Sequence, residues 1–534
     1  MSEPRTVSEA LVASVERGAE RVAFITDDLR PGIGEVLRAS LMVRDLLRDR
    51  GVCPGDRVIV WGDGARPLEW LASYFGIHLL GGWCAPLNPK IASADAGFFT
   101  DDLAPAAVLA PVDLLRRDVP DIWSRAGIAA DRIIGLDLIG EARALIEAKD
   151  VTLPAARDST PYRGGEGGDL IYTTGTTGRA KGVILPGEVE YATGARYAEA
   201  QTLSRGAIIH SPIPMFTASA IMTLILPIVA VDAIFSIDHP FAPLRSLQRA
   251  RSCRCEVFKA VPTHYLLIGN AADVEPLPSV RLAITTAAPL SATGFEQMRR
   301  LFPRAAIRAL FGSTESAGAF TIIDDAQLRR SLGSLGSPAP GCEIDLLDAR
   351  PSSGGAAGEE EGDLVLRGPF PAAGYWRRSA EIVAATFLPG GGVRTGDRAT
   401  RVGDDYVLGG RTSSVINRGG FKIDPAEIEA IVNLVPWVED SCVIAITHDV
   451  LGEDLLLVVQ ARRADEAREA ALSDAQIDEL GARLSATLPK HKRPRQVLSR
   501  RLTRNALGKI DRKELRELAE ADRTRWTAIP NAER

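Results

Sequence analysis

Short runs rich in β-branched and apolar residues alternate with longer stretches of helical periodicity through much of the chain. Asp56-Arg-Val-Ile-Val-Trp61 precedes the Arg66–Leu80 stretch, and Ala106–Ala110, Gly168–Thr173, Cys255–Val261 and Arg281–Thr286 have the same form. Strands separated by helices predict parallel sheets covered on both faces, with ligands taken at loops leaving the strands' carboxyl ends. The longest apolar stretch, Ala220–Ile237, is broken by Thr223, Pro227 and Asp232. It reads as buried core, since a membrane helix needs about 20 nearly uninterrupted apolar residues.

The pattern changes later. Ser352–Gly362 is small, polar and Gly-rich, which predicts a surface loop. Asp363–Arg367 and Tyr406–Gly410 read as strands of an antiparallel subdomain. Ser473-Asp-Ala-Gln476 opens a helix running towards Leu488 with a capping-box pattern, and Pro489 and Pro494 close it. The expected fold is α/β. A large N-terminal domain (1–410) of parallel sheets with helices and an antiparallel β subdomain precedes a small α+β C-terminal domain (411–534).

Composition narrows the classes. The 534 residues are 46% hydrophobic and 25% charged, an ordinary globular mixture too long for one core. A net charge of -6 gives no overall push towards nucleic acid or an anionic membrane. From Pro489 to Arg516 there are eleven Lys or Arg against Asp511 and Glu514; without interleaved aromatics, a solvated basic face is the plain reading, and phosphate binding the functional one. The first residues show no basic patch followed by an apolar run, so no signal peptide is expected. Six scattered cysteines predict buried free thiols rather than a disulfide framework, and no two-His ligand motif occurs. A cytoplasmic protein without a protein-ligated transition metal follows as the expectation.

Chemistry concentrates in five segments. Tyr172-Thr-Thr-Gly-Thr-Thr-Gly-Arg-Ala-Lys-Gly-Val183 follows a predicted strand. Its glycines bring backbone N–H groups towards phosphate oxygens, Thr173, Thr174, Thr176 and Thr177 supply hydroxyls, and Lys181 a point charge. It lacks the Gly-Lys-Ser/Thr ending of the common P-loop, and its plain reading is a polar turn between strand and helix. Phe311-Gly-Ser-Thr-Glu-Ser316 offers an aromatic for a purine, Thr314 for a phosphoryl oxygen and Glu315 for Mg²⁺; its plain reading is a helix N-cap. Arg394-Thr-Gly-Asp397 places a carboxylate after a turn, suited to ribose hydroxyls. Gly410–Glu429 contains Gly419 and Gly420 and then Pro425, a structured crossing between domains. Asn505-Ala-Leu-Gly-Lys-Ile-Asp-Arg-Lys513 stands near the end.

In this order and at these separations, the five segments resemble those of the adenylate-forming superfamily of AMP-forming acyl-CoA synthetases, stand-alone adenylation enzymes and luciferases. Gly55-Asp-Arg-Val58, Pro86-Leu-Asn88 and Ala287-Ala-Pro-Leu290 extend the likeness over nearly the whole chain. The resemblance implies ATP, Mg²⁺ and CoA as the bound species. Thr173, Thr174, Gly175, Thr176, Thr177, Gly178 and Lys181 would cradle the triphosphate. Thr286, Ala287, Ala288, Phe311, Gly312 and Ser313 would line the acyl and adenine pocket. Thr314 would meet the α-phosphate, Glu315 the metal, and Asp397 with Arg411 the ribose. Lys509 would be the mobile catalytic lysine, Ser413 the hinge, and Gly419 and Gly420 would face CoA. Ser413 stands where relatives usually have Asp or Lys; Ala180, Phe311 and Thr503 are further departures, and none removes a group that adenylation requires.

The implied reaction joins a carboxylate to AMP, releases pyrophosphate and passes the acyl group to a thiol, CoA before a carrier protein or amine. A nucleotide-binding protein without catalysis is the reading from another class, and retention of Thr314, Glu315, Asp397, Arg411 and Lys509 opposes it. Phe216 and Thr217 fall where the family holds its acid. Thr217 carries no charge for a substrate ammonium, so the expected acid has an uncharged aryl or medium aliphatic tail, with a hydroxyl tolerated beside Thr217.

Overall fold

The computed structural model describes residues 6–90, 93–116, 120–138, 167–173, 180–271, 274–318, 320–352, 359–411, 416–418, 421–448, 451–462, 471–504 and 510–530. The N-terminal region holds two α/β sheets. The first has Gly168–Thr173, Trp83–Leu87, Arg57–Trp61, Ala107–Pro111 and Ile133–Leu136 in parallel, with Lys181–Pro186 and Gly374–Tyr375 added antiparallel at one edge. The second runs Phe24–Ile25, Ile234–Ile237, Ile208–Ser211, Val257–Ala260, Leu282–Thr286 and Ala306–Phe311 in parallel, then two short antiparallel strands.

One apolar cluster joins the sheets. It contains Val58, Val60, Ile171 and Val183 of the first, Ile209, Phe235, Val257 and Ile284 of the second, and residues of helices Ile33–Asp49, Pro67–Leu80 and Gly187–Ala200. Separate clusters line the outer faces, one around Trp61 and Trp123 and the other around Phe258, Tyr265 and Phe302. The sheets therefore share a layer of helices, so their strands are buried on both sides, as continuous apolar runs require. Helices Ile33–Asp49 and Pro67–Leu80 approach so closely that a Cβ at Gly76 would lie 2.8 Å from the Ser40 carbonyl oxygen. The Ala220–Ile237 stretch is core as expected, divided into a helix and the Ile234–Ile237 strand. Asp232 is buried at the bend between them with φ +57°, where Arg17 and Arg21 bind its carboxylate at 2.7 and 2.9 Å and Arg205 at 3.0 Å.

An antiparallel sheet follows, built from Glu343–Pro351, Glu360–Arg367, Gly392–Val402, Phe387–Leu388 and Asp405–Arg411. The expected loop over Ser352–Gly362 is corrected here: Glu360, Glu361 and Gly362 are paired strand residues. Backbone pairing on both sides prevails over their polar composition.

The small C-terminal domain is a six-stranded mixed sheet centred on Gly452–Ala461, with Pro425–Val432 and Asp474–Thr487 packed on one face and Arg512–Ala521 on the other. Ser473 caps the Asp474–Thr487 helix through Gln476 as its sequence predicts. The basic stretch is less solvated than expected. Arg512 grips Glu429 with two bonds of 2.8 and 2.9 Å, Lys492 pairs with Glu427 at 2.7 Å, Arg504 with Asp440 at 2.5 Å, and Arg500 with Asp522. All six cysteines are free; five are buried, but Cys53 is exposed in the turn before the Arg57–Trp61 strand, correcting the expectation for that thiol.

Candidate functional site

The Thr/Gly segment joins two antiparallel strands rather than a strand and a helix. Thr173 and Lys181 face each other across the ladder where it opens. Thr174, Gly175, Thr176, Thr177 and Gly178 lie outside the described residues. At the far side of the opening, Arg378 donates to the Ala180 carbonyl at 3.1 Å while its guanidinium holds Asp102 at 2.7 Å. Tyr172 donates to the same Asp102 carboxylate at 2.6 Å. The turn's two shoulders are thus fixed through one acidic residue that sequence reasoning did not single out.

Glu315 lies beside this opening. Its Oε1 accepts from the Thr173 hydroxyl at 3.2 Å and from the Tyr375 hydroxyl at 3.0 Å, which leaves Oε2 without a partner among the described residues. Burial, with the Glu315 charge, holds the Tyr375 phenol above its ordinary range, so it stays a donor. Lys181 Nζ lies 5.0 Å from the centre of the Tyr375 ring, a cation–π contact. A carboxylate with one oxygen unpartnered among the described residues is the kind of ligand a hard cation takes, and the lysine charge suits an anion.

Phe311 ends the Ala306–Phe311 strand, and the residues after it form a turn, not a helix N-terminus. Ser313 and Ser316 close it reciprocally: each backbone N–H donates to the other's hydroxyl, at 3.0 and 3.1 Å. The Ala372 N–H donates to the Glu315 carbonyl at 3.2 Å. Thr286 pairs with Leu310 on the next parallel strand and donates to its carbonyl at 3.4 Å, so Thr286, Ala287, Ala288, Phe311 and Gly312 gather at adjacent carboxyl ends. Ala287 holds φ +73°, a conformation that costs a side-chain-bearing residue about 1–2 kcal/mol. Phe311 also packs on Leu335, Leu364 and Ala399, which ties this edge to the antiparallel sheet.

In that sheet Asp397 is buried and paired in register with Arg411, whose side chain lies outside the described residues, as do Ser413, Gly419, Gly420 and Lys509. Thr217 is tied into its own turn. Its hydroxyl accepts from the Ala220 N–H at 3.1 Å and donates to the Pro214 carbonyl at 3.0 Å, so it caps its own helix. Phe216 beside it is half-buried. The structure therefore brings Thr173, Lys181 and Glu315 together, gathers the Thr286 and Phe311 strand ends, and holds Asp397 on the neighbouring sheet. Tyr375, Asp102 and Arg378 were not anticipated; the aromatic and arginine run Tyr375-Trp376-Arg377-Arg378 was the available signal.

Known proteins share this architecture. The sequence profile described as AMP-binding enzyme matches residues 11–376, and that of the AMP-binding enzyme C-terminal domain matches residues 427–509. A 3-[(3aS,4S,7aS)-7a-methyl-1,5-dioxo-octahydro-1H-inden-4-yl]propanoyl:CoA ligase of Mycobacterium tuberculosis is 28% identical over 96% of this chain and 99% of its own. A feruloyl-CoA synthase of an Amycolatopsis species is 29% identical over 90% and 92%. The ATP-bound structure of MatB from Rhodopseudomonas palustris superposes with a TM-score of 0.80 at 22% identity, covering 96% of this chain and 99% of that one, which establishes the common fold.

Proposed function

Because the chain belongs to the AMP-binding enzyme family across residues 11–376 and 427–509, we propose that it activates a carboxylic acid with ATP and passes the acyl group to CoA. The observation carrying this reading is the junction of Thr173, Lys181 and Glu315 at one opening.

A carboxylate attacking the α-phosphorus is anion meeting anion, so the protein's work is alignment and neutralisation of charge. The nucleophile is already ionised at neutral pH, and no general base is required. Residues 173–178 and Lys181 hold the β- and γ-phosphates, Thr314 the α-phosphate, and Asp397 with Arg411 the ribose. Phe311 and Ala287–Ala288 flank the adenine and acyl groups, with Gly312 and Ser313 in the turn. Glu315 would hold Mg²⁺, which when bound would neutralise phosphate charge. A carboxylate oxygen bonds to the α-phosphorus as the bond to the β-phosphate bridge breaks, and pyrophosphate leaves. Lys509 bridges the carboxylate and the α-phosphate. For the second step the domain 411–534 turns about Ser413, Gly419 and Gly420 face the incoming CoA, and the thiol sulfur bonds to the acyl carbon as AMP departs and the thiol proton is lost to solvent.

The acid is aryl or medium aliphatic. Met215, Ile221 and Met222 are buried around the Phe216–Thr217 segment, and two relatives are named for ring-bearing acyl groups. The test is acid-dependent exchange of pyrophosphate into ATP, followed by offering CoA, a carrier-protein thiol and an amine to the activated acid. Exchange with no acid sinks adenylation; transfer only to a carrier or amine corrects the acceptor.

A further inference from the structure

Lys259 lies on the Val257–Ala260 strand in the middle of the second sheet and is completely buried. It pairs in register with Ile284, and Ile284 with Arg308, so the three share one face of the sheet. Thr286, two residues beyond Ile284, lies on that face at the strand's carboxyl end. The face carries no carboxylate partner for the lysine: among the described residues Lys259 enters no ion pair. Arg308 is turned to the Ala200 carbonyl and Gln201 at 3.2 and 3.0 Å.

The ammonium's recorded contacts are a hydrogen bond of 2.5 Å to the Thr223 hydroxyl and the face of the Tyr197 ring 4.9 Å away. Thr223 donates its own proton to the Ser219 carbonyl, so its hydroxyl has no further donor to give. The Tyr197 hydroxyl is buried beside Thr223, whose proton is committed to the Ser219 carbonyl, and makes no well-formed hydrogen bond among the described residues; nor does the Ser219 hydroxyl. Thr223 sits in the π-helical turn Ile221–Ile225, within the helix that Thr217 caps. Such turns break the regular ladder at a cost and recur at functional sites. Burial alone pulls the ammonium down to about 7. Unpaired polar groups buried this deeply are costly unless something satisfies them.

We infer that Lys259, together with the Tyr197 hydroxyl, binds an acceptor oxygen on the far part of the carboxylic acid substrate. This deepens the function proposed above and rests on it: the lysine shares its sheet face with Thr286 and meets the helix beginning at Thr217, the two elements flanking the proposed acid pocket. The acceptor is a ketone or a second carboxylate. A pocket built to bond such an oxygen discriminates against the hydrocarbon analogue, because the protein's donors are then left bare.

The experiment is pyrophosphate exchange with matched acids: octanoic, 7-oxooctanoic and octanedioic acid in one series, 3-phenylpropanoic and 3-(4-acetylphenyl)propanoic acid in the other. The wild type should prefer an oxygen-bearing member of at least one series by roughly tenfold or more in kcat/KM. Lys259→Met should erase that preference, raising KM for the oxygenated acid and leaving the hydrocarbon acid within about threefold; Tyr197→Phe should erase part of it. Preference for the ketone over the dicarboxylate, or the reverse, identifies the oxygen. Equal loss for every acid in a variant of unchanged thermal midpoint overturns the inference, as does a wild type that favours the hydrocarbon acids. Exchange with no acid removes the adenylation reading itself, whereas exchange without Lys259-dependent preference removes only this inference.

Discussion

Thr173 and Glu315 stand 142 positions apart in the chain and are joined by a 3.2 Å hydrogen bond from the threonine hydroxyl to Oε1 of the glutamate. The bond crosses from the first α/β sheet to the strand end of the second. With the Tyr375 hydroxyl, which reaches the same oxygen from the first sheet at 3.0 Å, this bond sets the proposed phosphate turn against the proposed metal ligand.

Glu315→Gln keeps the size of the side chain and removes its charge. Pyrophosphate exchange is expected to fall about a hundredfold or more, with a higher Mg²⁺ requirement, since charge placed against phosphate contributes several kcal/mol. Tyr375→Phe removes one hydrogen bond to the same oxygen and should cost less than about tenfold. Exchange rates measured across a Mg²⁺ titration check both, and an unchanged Mg²⁺ dependence in the glutamine variant removes Glu315 as the ligand.

Lys509→Ala should lose acid-dependent exchange by orders of magnitude while still converting preformed acyl-adenylate to thioester. Assaying the two half-reactions separately decides it. Loss of both in a folded variant means the lysine does not divide the labour as proposed.

Ser413→Pro should fix φ at the proposed pivot. With the adenylating arrangement retained, exchange continues and thioester formation stops; unchanged overall turnover places the pivot elsewhere.

Thr217 uses its hydroxyl within its own turn and offers no charge, so a substrate ammonium at that place would be buried without a partner. Such burial costs several kcal/mol. Exchange with α-amino acids should be weaker than with the matching deaminated acids by at least about a hundredfold; the opposite preference would show that another group supplies the charge.

Asp232 supports stability rather than chemistry. Burial by itself would raise its carboxyl, but the hydrogen bond and charge of Arg17, with the charge of Arg21, outweigh burial and hold it below the usual carboxylate range. A depressed carboxyl stabilises the fold fully above its unfolded value near 4, and that contribution fades as pH falls through the folded value. Asp232→Asn tolerates the same left-handed backbone, isolating the charge, and should destabilise by about 2–4 kcal/mol at neutral pH. Denaturant midpoints of the two proteins should converge below about pH 4; a gap independent of pH would assign the loss to packing.

The alternation of strands and helices was legible because both parallel sheets are buried on two faces, which leaves apolar runs such as Asp56–Trp61 and Arg281–Thr286 in plain view. The segment Glu360–Gly362 was not, because pairing to Pro351 on one side and Arg401 on the other satisfies a polar backbone without leaving a side-chain pattern. Thr173, Lys181 and Glu315 were marked by their motifs and the strand Gly168–Thr173 was legible, but the strand after the Thr/Gly turn, Lys181–Pro186, was not, because the turn reads as leading into a helix. Asp102 and Lys259 carried no local sign: one acts by holding Arg378 across 276 positions, the other by being alone on a face visible only once the strands are in register.

The exposure of Cys53 has a practical side. The other five thiols are shielded, so a maleimide dye should attach at one place on the native protein without any cysteine being removed. Cys53 precedes the amino end of the Arg57–Trp61 strand, whereas the Thr173 opening lies at the carboxyl end of a strand in the same parallel set. A fluorophore there stands on the opposite rim from the proposed phosphate turn, ready to be paired with a second dye on the small domain so that the proposed rotation of that domain is tested in single molecules during turnover.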